Sequence, residues 1–364
     1  MDDALGASPM PDSSPPPTPI RAEQRHPSRA PWPLRRQRPT AHSSQLYAAV
    51  AVLLVGALVA IPMTGSTFWL YTGCITATYA IAIIGLNVIA GLAGQVNLAT
   101  TAFLAFGGYG YAIYTVTLHI EPWLGLVLAM VGAVIISAVL GLILLRLRGY
   151  YLAMATFTLA IAVASSANAA SITGGAVGIP DIPPLTVGPI DFGLGSQLSF
   201  YGLAWGIVIV LVLLVWLANA SPIGRAWRLI GSREELAMSL GVSTLKYKVA
   251  AFVVAGGLGA LSGAMYAELT TYVSSDLYSS SVIVVFMAML FVGGLGTMWG
   301  PVIGALIVTV LPSLIGGLQG ATLLVVDSLF LAVIVLFPSG LGMAWRDART
   351  FRYLVPRRLW SREK

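Results

Sequence analysis

The chain has 364 residues, of which 57% are hydrophobic and only 9% charged, with a mean hydropathy of +0.85 and a net charge of +6. That composition excludes an ordinary soluble domain and defines an integral membrane protein. No folded basic domain accompanies the positive charge, so it reads as orientation and contact with anionic lipid, with no role in nucleic-acid binding.

Residues 1–45 hold ten prolines and six arginines among few large apolar side chains. Such a segment buries too little surface to offset its ordering entropy, and it is expected to be a disordered cytoplasmic tail. A cleaved leader is not expected, because the following "LVAIPMTGS" has no small-x-small site. Apolar runs of membrane-spanning size then recur near 46–63, 68–90, 98–118, 123–145, 151–170, 199–219, 249–268, 281–298, 301–318 and 321–337. They predict an all-α polytopic fold of about 8–10 transmembrane helices in a membrane domain over 46–340, followed by a basic cytoplasmic tail at 341–364.

With both termini inside, all 20 Lys and Arg residues fall in cytoplasmic segments: 1–45, 146–149, 220–248 and 338 onward. The opposite orientation would put every one on the wrong side. Cys74 is the single cysteine and lies within a span, so no intramolecular disulfide exists.

The stretch "GLNVIAGLAGQVNLATTAFLAFGGYG", 85–110, interrupts this apolar pattern. Asn87, Gln95 and Asn97 are amides that need partners at membrane depth. Gly91 and Gly94 bracket a point where a helix can break, which is tolerated only where protein or a watery cavity surrounds the freed backbone. Further on, 173–193 places Pro and Gly at turn spacing and is an external loop, either a docking surface or plain linkage. The inner loop 220–248 has helix-forming composition, with Leu236, Leu240 and Leu245 among charges and Gly231 and Gly241 at helix ends. A short amphipathic helix follows, resting on lipid headgroups or fitting a groove on a soluble partner.

A second interruption, "FVGGLGTMWGPVIG" at 291–304, contains Gly293, Gly294 and Gly296. Paired broken segments in two halves point to a transport pathway, although tight cytoplasmic hairpins would show the same glycines. The amides beside Thr100 and Thr101 favour the pathway for 85–110.

Catalytic signatures are missing. No lysine follows a glycine, so the chain has no phosphate-binding loop, and its glycine clusters do not complete G-x-G-x-x-G. His26, His42 and His119 are scattered, with no H-E-x-x-H and no G-x-S-x-G. No catalytic, cofactor or metal site is expected. Deep acids suited to ion coupling reduce to Asp327 and Glu268.

In this setting the chain resembles the LivM-type membrane permeases of branched-chain amino-acid ABC importers, over roughly 68–342. The resemblance rests on the 85–110 stretch together with "RGYYLAMATFTLA" at 148–160, "ITGGAVGIPDIPP" at 172–184, "SPIGRAWRLI" at 221–230, "VGGLGTMWGPVIGA" at 292–305 and "LFPSGL" at 336–341. It implies a non-enzymatic permease subunit in the cytoplasmic membrane. The implied partners are cytoplasmic ABC ATPase subunits, a second, LivH-like permease and an extracytoplasmic solute-binding protein, with a small-molecule substrate and no cofactor.

The resemblance also gives the inner loop a role in docking on the ATPase. Glu235, Ala237 and Gly241 fit E-x-A-x-x-x-G, and Gly224, Arg225 and Arg228 belong to the same loop. The implied translocation pathway takes in Asn87, Gly91, Gly94, Gln95, Asn97, Thr100, Thr101, Gly293, Gly294 and Gly296. Relatives commonly carry Ser-Leu-Gly-His where this chain has Asn97, Leu98, Ala99 and Thr100. The resemblance implies a branched-chain or other amino acid as cargo, and the departure at 97–100 widens that expectation beyond leucine, isoleucine and valine, since relatives also move amides, urea and aromatic acids. The rival reading is a secondary carrier or channel that works without an ATPase.

Overall fold

The computed structural model describes Pro62 and residues 66–314, apart from 188–189 and 194–195. Both expected tails, the run at 46–63 apart from Pro62, residues 315–318, the run at 321–337 and Asp327 lie outside the described residues. Helix α1, Thr67–Leu86, continues as a π-helical stretch over Asn87–Leu92. Helix α2, Thr100–Ala112, likewise runs into a π-helical Ile113–Thr117, and is followed by α3, Pro122–Leu144, and α4, Tyr150–Ala169. A small hairpin pairs β1, Thr186–Val187, antiparallel with β2, Ile190–Asp191, so that Thr186 faces Asp191. Then come α5, Gln197–Ala220; α6, Pro222–Ser232; α7, Glu234–Ser239; α8, Thr244–Thr270; α9, Ser280–Gly293; and α10, Gly300–Leu314.

Among the described residues, α1 with its extension, α3, α4, α5 and α8 are long and apolar enough to cross a bilayer. The all-α expectation holds. The apolar run at 281–298 is not one helix: α9 has 14 residues and reaches roughly 21 Å, short of a hydrocarbon core of about 30 Å. It stops because Gly294 and Gly296 have φ of +95° and +69°, in the left-handed region. The inner loop also differs from expectation, since it forms two helices, α6 and α7. Arg233 between them is extended, with φ −154° and ψ 96°, which ends the first helix and starts the second.

Helix α8 is the central post, packed against α1, α2 and α3. The most apolar window of α8 is 72% buried and that of α1 78%, against 28%, 22% and 33% for α3, α4 and α5, so the latter three form the periphery. Lipid tails give helices no hydrophobic reason to associate, so close packing has to hold the centre. At the α2/α8 crossing the backbones touch: a Cβ on Gly107 would lie 2.0 Å from the Ala260 carbonyl oxygen, and one on Gly263 2.0 Å from that of Leu104. The loop at 93–99 meets α6 at one end of the bundle, called here the basic end, while 170–196 and 271–279 meet at the opposite end.

Replacing Gly263 by valine is expected to lower the thermal unfolding temperature of the detergent-solubilised protein, by overpacking worth about 1–3 kcal/mol. Valine at Gly132, where a Cβ meets nothing within 4 Å, is the control and should leave unfolding almost unchanged. Equal effects at the two positions would contradict the crossing described.

Candidate functional site

The two interruptions meet in space. Asn87, 3% exposed at the start of the π-helical stretch, donates from Nδ2 to the Thr297 carbonyl at 2.9 Å and accepts at Oδ1 from the Gly296 N–H at 2.8 Å. One amide thus satisfies both a donor and an acceptor of the turn between α9 and α10. The wide helical turn, with Ala93 N–H bonded to the Val88 carbonyl at 3.1 Å, presents Gly91 to that turn. A Cβ on Gly91 would fall 2.3 Å from the Gly296 nitrogen and 2.3 Å from Asn87 Oδ1.

The same loop also touches the amphipathic helix. Gly94 has φ +67°, and a Cβ there would lie 2.7 Å from Gly231 Cα; a Cβ on Gly231 would lie 2.6 Å from the Leu92 carbonyl oxygen. Gly296, Gly91, Gly94 and Gly231 therefore form one backbone-to-backbone joint between the turn at 294–297, the loop at 91–94 and α6.

The neighbouring residues have separate tasks. Gln95 is half-buried and bonds to its own loop through the Ala93 carbonyl at 3.2 Å. Asn97 Oδ1 accepts from Ala99 N–H at 3.0 Å to start α2, while its Nδ2 is buried with no partner among the described residues. Leu98 N–H donates to Thr156 Oγ1 on α4 at 3.1 Å. Thr100 and Thr101 are buried in the first turn of α2. Gly293 packs on Gly300, where a Cβ would meet the carbonyl oxygen at 2.0 Å, and Gly294 supplies the left-handed turn.

Helix α6 is welded to its surroundings. Gly224 permits the tight approach to α5, since a Cβ there would lie 2.4 Å from the Ala218 carbonyl oxygen. The Arg225 and Arg228 guanidinium groups donate to the carbonyls of Ala220 at 3.2 Å and Asn219 at 2.8 Å, satisfying the last turn of α5. Trp227, on the buried face, donates from Nε1 to the Tyr247 carbonyl at 2.8 Å, tying α6 to α8.

Helix α7 turns the other way. Ala237 is fully buried, Glu235 is exposed, and Leu236, Met238 and Leu240 are 46%, 42% and 66% exposed. Gly241 ends it with φ +78° in open space, so its conformation and not its size requires glycine. The neighbouring acid behaves differently: Glu234 accepts at 2.7 Å from Lys248, an ammonium only 2% exposed on α8. Sequence reasoning had no place for this pair. Its signal was a lysine, Lys248, just inside the apolar run of α8 and a nearby acid on the preceding loop.

At the opposite end, Glu268 is 1% exposed; its Oε2 accepts from the Tyr111 hydroxyl at 2.6 Å and its Oε1 from Leu185 N–H at 2.6 Å. Trp123 Nε1 donates to the Thr186 carbonyl at 2.8 Å, and Ile179 and Val273 exchange backbone hydrogen bonds at 2.9 and 3.1 Å. The Pro/Gly-rich external loop is thereby tied to α2, α3 and α8.

Membrane-crossing helices joined through broken segments to an amphipathic element outside the apolar bundle define a polytopic membrane transport protein. The family described as "Branched-chain amino acid transport system / permease component" matches residues 67–338, and the chain belongs to that family. It is 27% identical to the high-affinity branched-chain amino acid transport system permease protein LivM of Escherichia coli strain K12, over 73% of this chain and 68% of that protein. The ribose import permease protein RbsC of Haemophilus influenzae is 26% identical over 64% of this chain and 72% of its own length. The autoinducer 2 import system permease protein LsrC of Photorhabdus laumondii is 26% identical over 31% of this chain and 35% of its own length. No solved structure is significantly similar.

Glu234→Ala leaves the buried Lys248 charge without its partner and is expected to destabilise the protein by about 3–5 kcal/mol, whereas Glu235→Ala stays within about 0.5 kcal/mol. Thermal unfolding of the two variants checks this; equal melting temperatures would refute the inward placement of Glu234. Asn87→Leu strands a carbonyl and an N–H in the joint, at about 1–3 kcal/mol for each buried group. Faster hydrogen exchange at Gly296 is the expected readout, and unchanged protection there would count against the clamp.

Proposed function

We propose that this chain is a permease subunit of an ATP-binding-cassette importer in the cytoplasmic membrane, with both termini inside. Cytoplasmic ATPase subunits would dock on α6 and α7 and supply the driving force. A LivH-like second permease would complete the path, and an extracytoplasmic solute-binding protein would deliver cargo to the tethered loop at the opposite end. The cargo is a small polar or zwitterionic solute, best read as a branched-chain or other amino acid. The names of the LivM relatives support that cargo, while the ribose and autoinducer relatives indicate how far cargo varies among similar permeases.

One observation carries the reading: the glycine joint puts the amphipathic helix in direct backbone contact with the broken segment at 91–94, which in turn touches the one at 294–297. Motion imposed on α6 reaches Gly94 without a compliant side chain between, and Gly91 passes it to Gly296. ATP binding in the partner then favours one of two arrangements of these segments, giving alternating access. The exposed Leu236, Met238 and Leu240 suit a partner groove, and Glu235 offers it a charge.

In proteoliposomes holding the assembled transporter, Glu235→Ala and Gly241→Ala are expected to reduce ATP-driven L-leucine uptake by about ten-fold or more. The Glu235→Ala protein should keep its normal unfolding temperature. Normal uptake by both variants would remove the coupling role, and uphill accumulation by the isolated chain would replace the ATPase-driven reading with a secondary carrier.

A further inference from the structure

Helix α7 has six residues, and a helix of that length does not hold its place by itself. The extended Arg233 separates it from α6. Among the described residues, the backbone hydrogen bonds of 234–242 stay within 233–242, so none ties this segment to the rest of the bundle. Nor does a glycine bring it against another backbone, since Gly241 ends it in open space. Its hold on the bundle comes from the side chains that turn inward. These are Ala237, fully buried, and Glu234, half-buried; the other four are exposed.

Ala237 offers one methyl group, whose contacts have no direction and allow sliding. Glu234 offers a directed bond. Its Oε2 accepts from Lys248 Nζ at 2.7 Å, and that lysine, in the second turn of α8, is only 2% exposed. Methionine at 248 would bury as much apolar surface without desolvating a charge. Replacing a buried ion pair by well-packed apolar side chains is often neutral or stabilising, whereas separating its two members strands a charge. The pair is thus a poor source of stability and a good tether, because it resists any motion of α7 that leaves α8 behind. One residue earlier, the Tyr247 carbonyl accepts from Trp227 of α6, so α6 and α7 are fastened to neighbouring residues of the central post.

We propose that Lys248 is a positioning residue for energy coupling. Through Glu234 it makes α7 travel with α8, so that a push by the ATPase on the exposed face of α7 reaches the centre of the bundle, beside the route through α6 and the glycine joint. Without the pair, α7 yields to the push and the post stays where it is. The proposal rests on the ATPase-driven function above, and its test lets the two fail separately.

The test replaces both members, Glu234→Leu with Lys248→Met, which removes the tether and leaves no buried charge unpaired. Thermal unfolding of this double variant is expected to match that of the natural chain, unlike that of Glu234→Ala. In the isolated, detergent-solubilised chain, hydrogen exchange at residues 237–242 should become at least about five-fold faster, with α8 unchanged. In proteoliposomes holding the assembled transporter, L-leucine imported per ATP hydrolysed should fall at least about five-fold. Exchanging the charges, Glu234→Lys with Lys248→Glu, restores the pair and should bring both readings back to within about two-fold of the natural chain. Unchanged exchange in the double variant would show that the pair does not hold α7, and faster exchange with undiminished import per ATP that it serves packing alone; either result overturns the proposal. Exchange is read without ATPase or cargo, so a natural chain that imports nothing on ATP strikes the proposed function while exchange still judges the tether.

Discussion

Inside a bilayer, helices gain little by hiding apolar surface from one another, because lipid tails are as apolar as leucine. What holds this bundle is therefore close backbone contact where side chains are missing. Gly107 and Gly263 let α2 and α8 touch, and Gly91, Gly94, Gly231 and Gly296 do the same for loops at the basic end. The second set differs in kind, since it joins segments from three distant parts of the chain. A contact between backbones transmits displacement more faithfully than one between flexible side chains, and this makes the joint suited to carry force as well as to pack.

Polar groups complete what glycine begins. Each end of α8 has a buried charge with defined partners: Lys248 with Glu234 at the basic end, Glu268 with Tyr111 and Leu185 at the other. A buried ion pair adds little net stability, but it punishes any arrangement that separates it. The central helix is thus held in register with α7 on one side and an external loop on the other. Those are the surfaces that the proposed function assigns to a motor and to a solute carrier.

Much of this was legible in the sequence, and the limits have physical causes. The broken segments at 85–110 and 291–304 were visible from glycines and amides in apolar surroundings. That they touch was not, because Gly91 and Gly296 meet through backbone atoms that leave no side-chain pattern. The Glu268 latch was hidden for a similar reason, since one of its bonds goes to the N–H of Leu185. Of the adjacent glutamates 234 and 235, only helix phase and the break at Arg233 decide which faces inward. The run at 281–298 looked like a span because hydropathy counts apolar residues and does not register the left-handed turns at Gly294 and Gly296.

The Asn87 clamp has a consequence for how the protein is made. Its two bonds reach residues 209 and 210 positions later in the chain. At about 5–20 residues per second, translation leaves that amide waiting some ten to forty seconds in the bilayer before Thr297 emerges. Through that interval the extension of α1 holds an amide whose later partners do not yet exist. Arrival of the turn between α9 and α10 completes both bonds, so the first broken segment reaches its final form only when the second is in place.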